Sequence, residues 1–214
     1  MDQRSTPDFI LEAFADPSSV RDVVSGILHA IFFNRFFPSL VPQTREVLDL
    51  TLPHVSDVEL ETMIDQRVAA LVRQLDADRN QPHSHSHGHG QGHGQHNNGS
   101  GRGQVAVQFY ERRRRKRAAG WYNLGRGGGG EEEVCWESWT VKVTVAEPRT
   151  ESERAKVRKA MESTLLATVM KIITYVNTHK DQIPPITTTE SNPFPYQIHI
   201  NQKEAGWATR MGIY

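Results

Sequence analysis

The sequence predicts an α+β fold, and the clearest signals come from one strand and the helix that follows it. In the strand Cys135–Ala146, apolar residues from Trp139 to Val145 alternate with threonine and lysine, which is the period of a half-buried strand. The parity of Trp136 is opposite to that of Trp139, so the start of this strand is predicted to be covered on both faces or to carry a bulge. A third signal is the order of the elements, because strands follow one another without a regular β–α repeat.

The helix after this strand has both a start signal and a broad apolar side. Thr150 and Glu153 have the spacing of a capping box, in which each side chain bonds the backbone N–H of the other residue. The apolar residues that follow recur at helical spacing and form a wide stripe. They are Val157, Met161, Leu165, Leu166, Val169, Met170, Ile172, Ile173 and Val176. We therefore expect this helix and the strand before it to form the centre of the domain.

The other predicted elements lie on both sides of this pair. Asp16 and Pro17 suit a helix start, because aspartate caps a helix and proline is tolerated in its first turn. Ser56 and Glu59 have the spacing of a second capping box. The predicted elements are strands at Asp8–Ala15, Val47–Leu52, Val105–Tyr110 and Tyr196–Asn201, helices from Asp16 to about Arg35 and from Ser56 to about Asp76, and a Pro- and Thr-rich connection at Ile183–Pro195. The leucines of the second strand are expected to point inward, and Pro53 to end that strand.

The overall composition excludes several functional classes. The chain has 214 residues with 25 basic and 25 acidic side chains, so any binding of polyanions would have to be local. A single cysteine excludes an internal disulfide and a cysteine-based zinc site. No segment approaches the roughly 20 apolar residues that span a bilayer, and residues 1–9 lack the basic and apolar parts of a secretory signal. We therefore expect a soluble cytosolic or nuclear protein.

The segment Asn80–Gly103 is predicted to be a disordered insertion, because it is rich in His, Gly, Ser, Gln and Asn and has no large apolar residue to bury. Imidazoles at alternate positions can bind zinc, copper or nickel in solution. A specific site needs ligands in a fixed geometry, so a solvated loop is favoured over a metal role. The histidines of the tract are His83, His85, His87, His89, His93 and His96.

Residues Glu111–Glu133 are predicted to form a long loop that begins with a basic run. Such a run attracts nucleic acid, anionic lipid or import receptors. The alternative is a self-repelling loop that Glu131–Glu133 partly neutralise. This second reading is favoured, because no aromatic side chains are interleaved with the arginines as binders of single strands require. The run consists of Arg112, Arg113, Arg114, Arg115, Lys116 and Arg117.

Two aromatic residues, Trp121 and Tyr122, lie in the same loop, between the basic run and the spacer glycines Gly127–Gly130. Large aromatic residues in a polar, Gly-rich loop either fold back over the edge of the core or project as an anchor for another protein. Trp and Tyr dominate the hot spots of protein interfaces, so the exposed anchor is favoured.

The sequence contains no signature of a catalytic site. The four consecutive glycines lack the Lys-Ser/Thr of a P-loop, and no zinc-protease helix, nucleophile elbow or carboxylate pair is present. A nucleophilic Cys135 would need a base such as His179 or His199, and cysteines are most often buried and inert. We therefore predict a protein that is not an enzyme and that needs no cofactor or metal.

The order of these motifs resembles the autophagy-related protein 101 family. The resemblance is strong over Gln108–Val176, collinear from Phe9 to Asp76, and continues at Tyr196–Ile200. Its most specific part is the block Trp136–Val143, Trp-Glu-Ser-Trp-Thr-Val-Lys-Val. The blocks that carry it are QFYERRRRK, the aromatic pair in its Gly-rich loop, CWESWTVKVTV, and TESERAKVRKAMESTL.

The resemblance implies a single HORMA domain over residues 1–214, with a β-sheet backed by helices and disordered insertions. The domain would carry the insertion 80–103 and, in the loop 111–133, an aromatic finger. Family members belong to the kinase complex that initiates autophagy, and they bind and stabilise the HORMA domain of the autophagy-related 13 subunit. An apolar face of the first or the central helix is the expected docking surface. This implies a cytoplasmic adaptor at the preautophagosomal structure, with no nucleic-acid partner and no stable membrane insertion.

In members that have the finger, it recruits downstream autophagy factors. Trp121 matches its tryptophan, and Tyr122 stands where a second aromatic residue is needed, although a proline separates the two in animal members. Leu124 is the alternative second anchor. The other function that remains open is a module that binds nucleic acid or anionic membrane through Arg112–Arg117.

Overall fold

The computed structural model describes residues 6–38, 41–80, 101–114, 131–187 and 192–201. In this part of the chain, helices lie against a β-sheet and a separate β-hairpin, which confirms the predicted α+β class. None of the helices described is long and apolar enough to cross a membrane. Along the chain the elements are β1 (Asp8–Ala15), α1 (Val20–Arg35), β2 (Gln43–Val47), β3 (Leu50–His54), α2 (Val58–Asn80), β4 (Arg102–Arg114), β5 (Glu131–Val145), α3 (Glu151–Thr178), a 3-10 turn (Lys180–Gln182) and β6 (Tyr196–Ile200).

The main sheet has the strand order β1-β5-β4-β6. Strand β1 runs parallel to β5, whereas β4 is antiparallel to both β5 and β6. The first and last strands of the described chain therefore form the two edges of the sheet. Strands β2 and β3 pair only with each other in a second, two-stranded sheet.

The alternation that predicted β5 corresponds to its two faces. Trp139, Val141 and Val143 point into the core, whereas Lys142 is exposed. The predicted bulge is also confirmed: Phe109 of β4 pairs with Glu137 and the next residue pairs with Cys135. The chain therefore has one extra residue at Trp136, which places both tryptophans in the core despite their opposite parity.

Helix α3 begins as predicted. The Thr150 hydroxyl accepts the Glu153 N–H at 3.2 Å, and the Glu153 carboxylate accepts the Thr150 N–H at 3.2 Å. The helix packs along β1, where the Thr168 hydroxyl donates to the carbonyl of Glu12 at 2.6 Å. Helix α1 is buried along nearly its whole length, because it contacts α2, α3, β1 and the β2–β3 hairpin.

The prediction of a single strand at Val47–Leu52 is wrong. This segment turns back on itself at Leu48, which adopts a left-handed conformation with φ of 54°. Leucines at alternate positions suit the two arms of a hairpin as well as one strand, and of the three leucines only Leu52 is buried. Pro53 lies inside β3 rather than ending it, which is tolerated because this strand is at an edge.

The two N-terminal helices differ from their predicted bounds. Helix α1 begins at Val20, because the Asp16 carboxylate accepts the Ser19 N–H at 2.7 Å and holds a turn before the helix. Helix α2 begins after Asp57, whose side chain accepts the Leu60 N–H at 2.9 Å in place of the predicted capping box.

The predicted disordered insertion at 80–103 is too wide at both ends. Asn80 is the last residue of α2, and Arg102 and Gly103 are the first residues of β4. A Cβ atom at Gly103 would lie 2.8 Å from a methyl carbon of Leu71, so a larger residue would have to displace the Leu71 side chain where β4 approaches α2. The rest of the insertion, with the histidines of the tract, lies outside the described residues.

Candidate functional site

The predicted loop Glu111–Glu133 is wrong at both ends, because its flanks are strands. Tyr110–Arg114 of β4 pairs with Glu131–Cys135 of β5 and forms a two-stranded hairpin arm beyond the bulge. The arm begins at the bulge around Trp136 and is described as far as Arg114 and Glu131. The sequence did not predict these parts of β4 and β5, because their residues are mostly polar and lack the apolar alternation by which strands are recognised.

The first part of the basic run faces an acidic ladder across the hairpin arm. Arg112 is directly opposite Glu133, Arg113 is opposite Glu132, and Arg114 is opposite Glu131. The Nε atom of Arg112 lies 3.7 Å from Glu133, and Arg113 forms an ion pair with Glu111. Opposite charges across a strand pair are mildly stabilising. In the described arm the three arginines are outnumbered by four glutamates, because Glu111 adds to Glu131, Glu132 and Glu133.

The remaining predicted site residues lie outside the described part of the chain. These residues are Arg115, Lys116, Arg117, Trp121 and Tyr122, together with the side chain of Arg114. The histidine tract lies outside it as well. Among the residues that are described, no group of three or more His, Cys, Asp or Glu is placed to hold a metal ion.

The wide apolar stripe predicted for α3 is divided between the core and the surface. Met161, Leu165, Val169 and Ile172 are buried, as expected for a helix packed on the sheet. Leu166, Met170 and Ile173 are instead 50%, 53% and 40% exposed. Their spacing of three and four places them on one side of the helix, and we call them the docking face after the role that is proposed for them below.

Charged residues border the docking face towards the start of α3. Arg158 and Glu162 precede Leu166 at intervals of four, and their side chains are 2.9 Å apart. Arg158 also bonds Asp49 at 3.1 Å. Asp49 lies in the turn of the β2–β3 hairpin, so this exposed ion pair links the tip of the hairpin to the first half of α3.

A buried ion pair joins the end of α1 to the root of the hairpin arm. Arg35 Nε donates to the Glu137 carboxylate at 2.7 Å, and the Trp139 indole donates to the same oxygen at 2.6 Å. The side chains of Arg35 and Glu137 are 1% and 0% exposed. Arg35 also lies 6.0 Å from the ring centre of Trp136. Our sequence analysis missed this pair, although a charged residue at an inward position of β5 was the available signal.

Two histidines connect α1 with the β2–β3 hairpin. The rings of His29 and His54 are 4.0 Å apart, and His29 Nδ1 accepts the Val55 N–H at 3.4 Å. Burial, followed by electrostatic interactions with His54 and Arg45, lowers the pKa of His29 to about 3. His29 is therefore neutral at physiological pH, as expected for a histidine that serves packing.

Cys135 does not have the surroundings of a nucleophile. Its thiol is half-buried, lies 3.5 Å from the carbonyl of Glu137, and has a pKa raised by burial. His179 instead bonds the Tyr175 carbonyl, and His199 contacts Gln197. The thiolate form is thus disfavoured at neutral pH.

Comparison with known proteins identifies the family. The family model described as autophagy-related protein 101 matches residues 12–190. The chain belongs to the autophagy-related protein 101 family. Autophagy-related protein 101 of Arabidopsis thaliana is 22% identical over 201 residues, which cover 85% of this chain and 80% of the relative. The protein of the same name from Schizosaccharomyces pombe is 24% identical over 188 residues, which cover 88% of this chain and 83% of the relative.

Membership of the autophagy-related protein 101 family gives this chain a role in autophagy. The residues that the family model matches include the second half of β1, all three helices and the whole of the hairpin arm. The docking face and the buried ion pair are therefore inside the matched part of the chain. The α+β architecture described above agrees with the single HORMA-like domain that the resemblance implied.

Proposed function

We propose that this member of the autophagy-related protein 101 family is a non-enzymatic adaptor in autophagosome formation. It binds and stabilises the HORMA domain of the autophagy-related 13 subunit and works in the cytoplasm, at the preautophagosomal structure. The observation that carries the proposal is the docking face, an apolar patch on a rigid helix at the surface of the domain.

The energetics of the docking face fit association with another protein. Fully burying a leucine, isoleucine or methionine contributes about 1.5–3 kcal/mol, so burying these three half-exposed side chains contributes roughly 1 kcal/mol each. That alone is too little for a stable complex. A partner would therefore also have to cover other surface, and the turn of the β2–β3 hairpin, which Asp49 links to Arg158 of α3, is a candidate. A folded domain fits this geometry better than a short peptide.

Mixing the purified chain with the HORMA domain of the autophagy-related 13 subunit tests the proposal. We expect the two to co-elute as one complex in size-exclusion chromatography and the partner to melt at a higher temperature in the mixture, because binding stabilises the folded state. Separate elution at micromolar concentrations, with both proteins folded, would refute the heterodimer.

The second part of the proposal concerns recruitment through Trp121 and Tyr122. The hairpin arm supports it, because paired strands extend as far as Arg114 and Glu131 and form a stalk from which a recruiting loop can project. The acidic ladder on the same arm makes the alternative, binding of nucleic acid or anionic membrane by the basic run, less favourable.

The double variant Trp121→Ala with Tyr122→Ala is expected to abolish capture of downstream autophagy factors in a pull-down. Loss of two aromatic anchors typically costs on the order of 2–4 kcal/mol of binding free energy. Binding of the partner HORMA domain should be unchanged, because the docking face is on α3. Asn123→Ala is the matched control and should capture normally. Leu124→Ala separates the two candidates for the second anchor. Normal capture by the double variant would refute recruitment through Trp121 and Tyr122.

A further inference from the structure

The junction between α1 and the β2–β3 hairpin contains a small polar cavity. Its volume is about 10 Å³, and its polar lining comes from Asp22, Ser25 and His29 of α1 with Arg45 and His54 of the hairpin. Two of these side chains have a buried polar atom that lacks a hydrogen-bond partner among the described residues: Ser25 Oγ and His54 Nδ1. A buried polar group without a partner is costly, so two on one cavity need an explanation.

The two unpartnered atoms are chemically complementary. His54 Nε2 lies 2.9 Å from the Glu61 carboxylate, which can only accept, so Nε2 carries the proton and Nδ1 is an acceptor in the neutral ring. The Ser25 hydroxyl can donate or accept. Ser25 and His54 both line the cavity, and no hydrogen bond joins these two atoms. A cavity of this volume has room for at most one water molecule.

We propose that the cavity binds one ordered water molecule, which bridges Ser25 Oγ and His54 Nδ1 and fixes the β2–β3 hairpin on α1. The water donates one hydrogen bond to His54 Nδ1 and forms the second with the Ser25 hydroxyl. A metal ion is a poorer occupant, because His29 Nδ1 already accepts the Val55 N–H. Nor do the described residues place three metal-ligating side chains together.

Hydrogen–deuterium exchange of the β2–β3 amides, measured on the chain alone, tests the site. In Ser25→Ala the water loses one of its two bridged partners, so we expect these amides to exchange roughly 5–10 times faster, as for the loss of one hydrogen bond. Exchange in β4 and β5 should be unchanged. Thr51→Ala is the matched control, because it removes an exposed hydroxyl that bonds Glu46 within the same hairpin. A crystal structure should show water density within hydrogen-bonding distance of both atoms.

Three results would overturn the water site: equal exchange in Ser25→Ala and the wild type, an empty cavity in the crystal, or a rise in melting temperature on adding zinc chloride. The first result would show that Ser25 does not help to hold the hairpin on α1. The second would show that no water is bound, and the third would indicate that the cavity binds a metal ion instead. All three measurements use the chain without a partner. A failure to bind the partner HORMA domain would therefore count against the proposed function and leave the water site standing.

Discussion

Replacing Glu137 with alanine is expected to lower the free energy of unfolding by about 3–5 kcal/mol, the usual cost of removing one partner from a buried ion pair. The carboxylate accepts hydrogen bonds from both Arg35 and the Trp139 indole. Its removal leaves a buried guanidinium without a counter-charge and an indole N–H without an acceptor. Because native domains are stable by only about 5–15 kcal/mol, this one change removes a large fraction of the stability.

Urea denaturation followed by circular dichroism measures the loss. Glu133→Ala is the matched control, because it is the same substitution on the same strand in a half-exposed pair with Arg112. Exposed pairs contribute about 0–1 kcal/mol, so this variant should unfold almost as the wild type does. Arg35→Ala combined with Glu137→Ala should cost less than the sum of the single changes, since no buried charge is left alone. If Glu137→Ala lowered the free energy of unfolding by less than about 1 kcal/mol, the pair would behave as an exposed one, and its burial would be contradicted.

The ion pair of Arg35 and Glu137 includes polar atoms without hydrogen-bond partners, which suggests that it has a role besides stability. Arg35 Nη2, Glu137 Oε2 and the Trp136 indole nitrogen are buried without a hydrogen-bond partner in the part of the chain that is described. An arrangement selected for stability alone would leave fewer such atoms. The pair joins α1 to β5 beside the bulge from which the hairpin arm extends, so we expect it to hold the base of the arm against α1.

Elements with strong local signals could be predicted from the sequence. Strand β1 has its predicted bounds, and α3 begins at its predicted capping box. The bulge at Trp136 was one of two alternatives that parity allowed, and pairing with β4 selected it. These features depend on neighbours within a few residues in the sequence, where the spacing of side chains determines which face they occupy.

Features that depend on distant residues could not be predicted in the same way. Arg35 and Glu137 are 102 positions apart, and nothing in the local sequence of either points to the other. The stripe on α3 shows why the docking face was also missed as a separate surface. Leu165 and Leu166 are adjacent and chemically identical, yet one is buried and the other is half exposed. Which leucine faces the core depends on how the helix packs on β1.

The double variant Leu166→Asp with Met170→Asp is expected to weaken binding of the partner HORMA domain at least 100-fold. Each change removes an apolar contact and buries a carboxylate in the interface, and a 100-fold loss corresponds to about 2.8 kcal/mol. Both side chains are about half exposed in the free domain, so the free energy of unfolding should change far less than binding does. Isothermal titration calorimetry measures the affinity, and thermal unfolding of the free chain checks the fold.

The control for this variant must carry charge on the same helix without touching the docking face. Ala167→Asp meets this need, because Ala167 is exposed on α3 roughly a quarter turn away from the centre of the face. It should bind as the wild type does. If both variants bind normally, α3 is not the contact surface, and the partner must use another part of the domain. If both lose binding, the effect follows from negative charge on α3 rather than from the loss of apolar contact. Only a loss confined to the double variant supports docking through Leu166 and Met170.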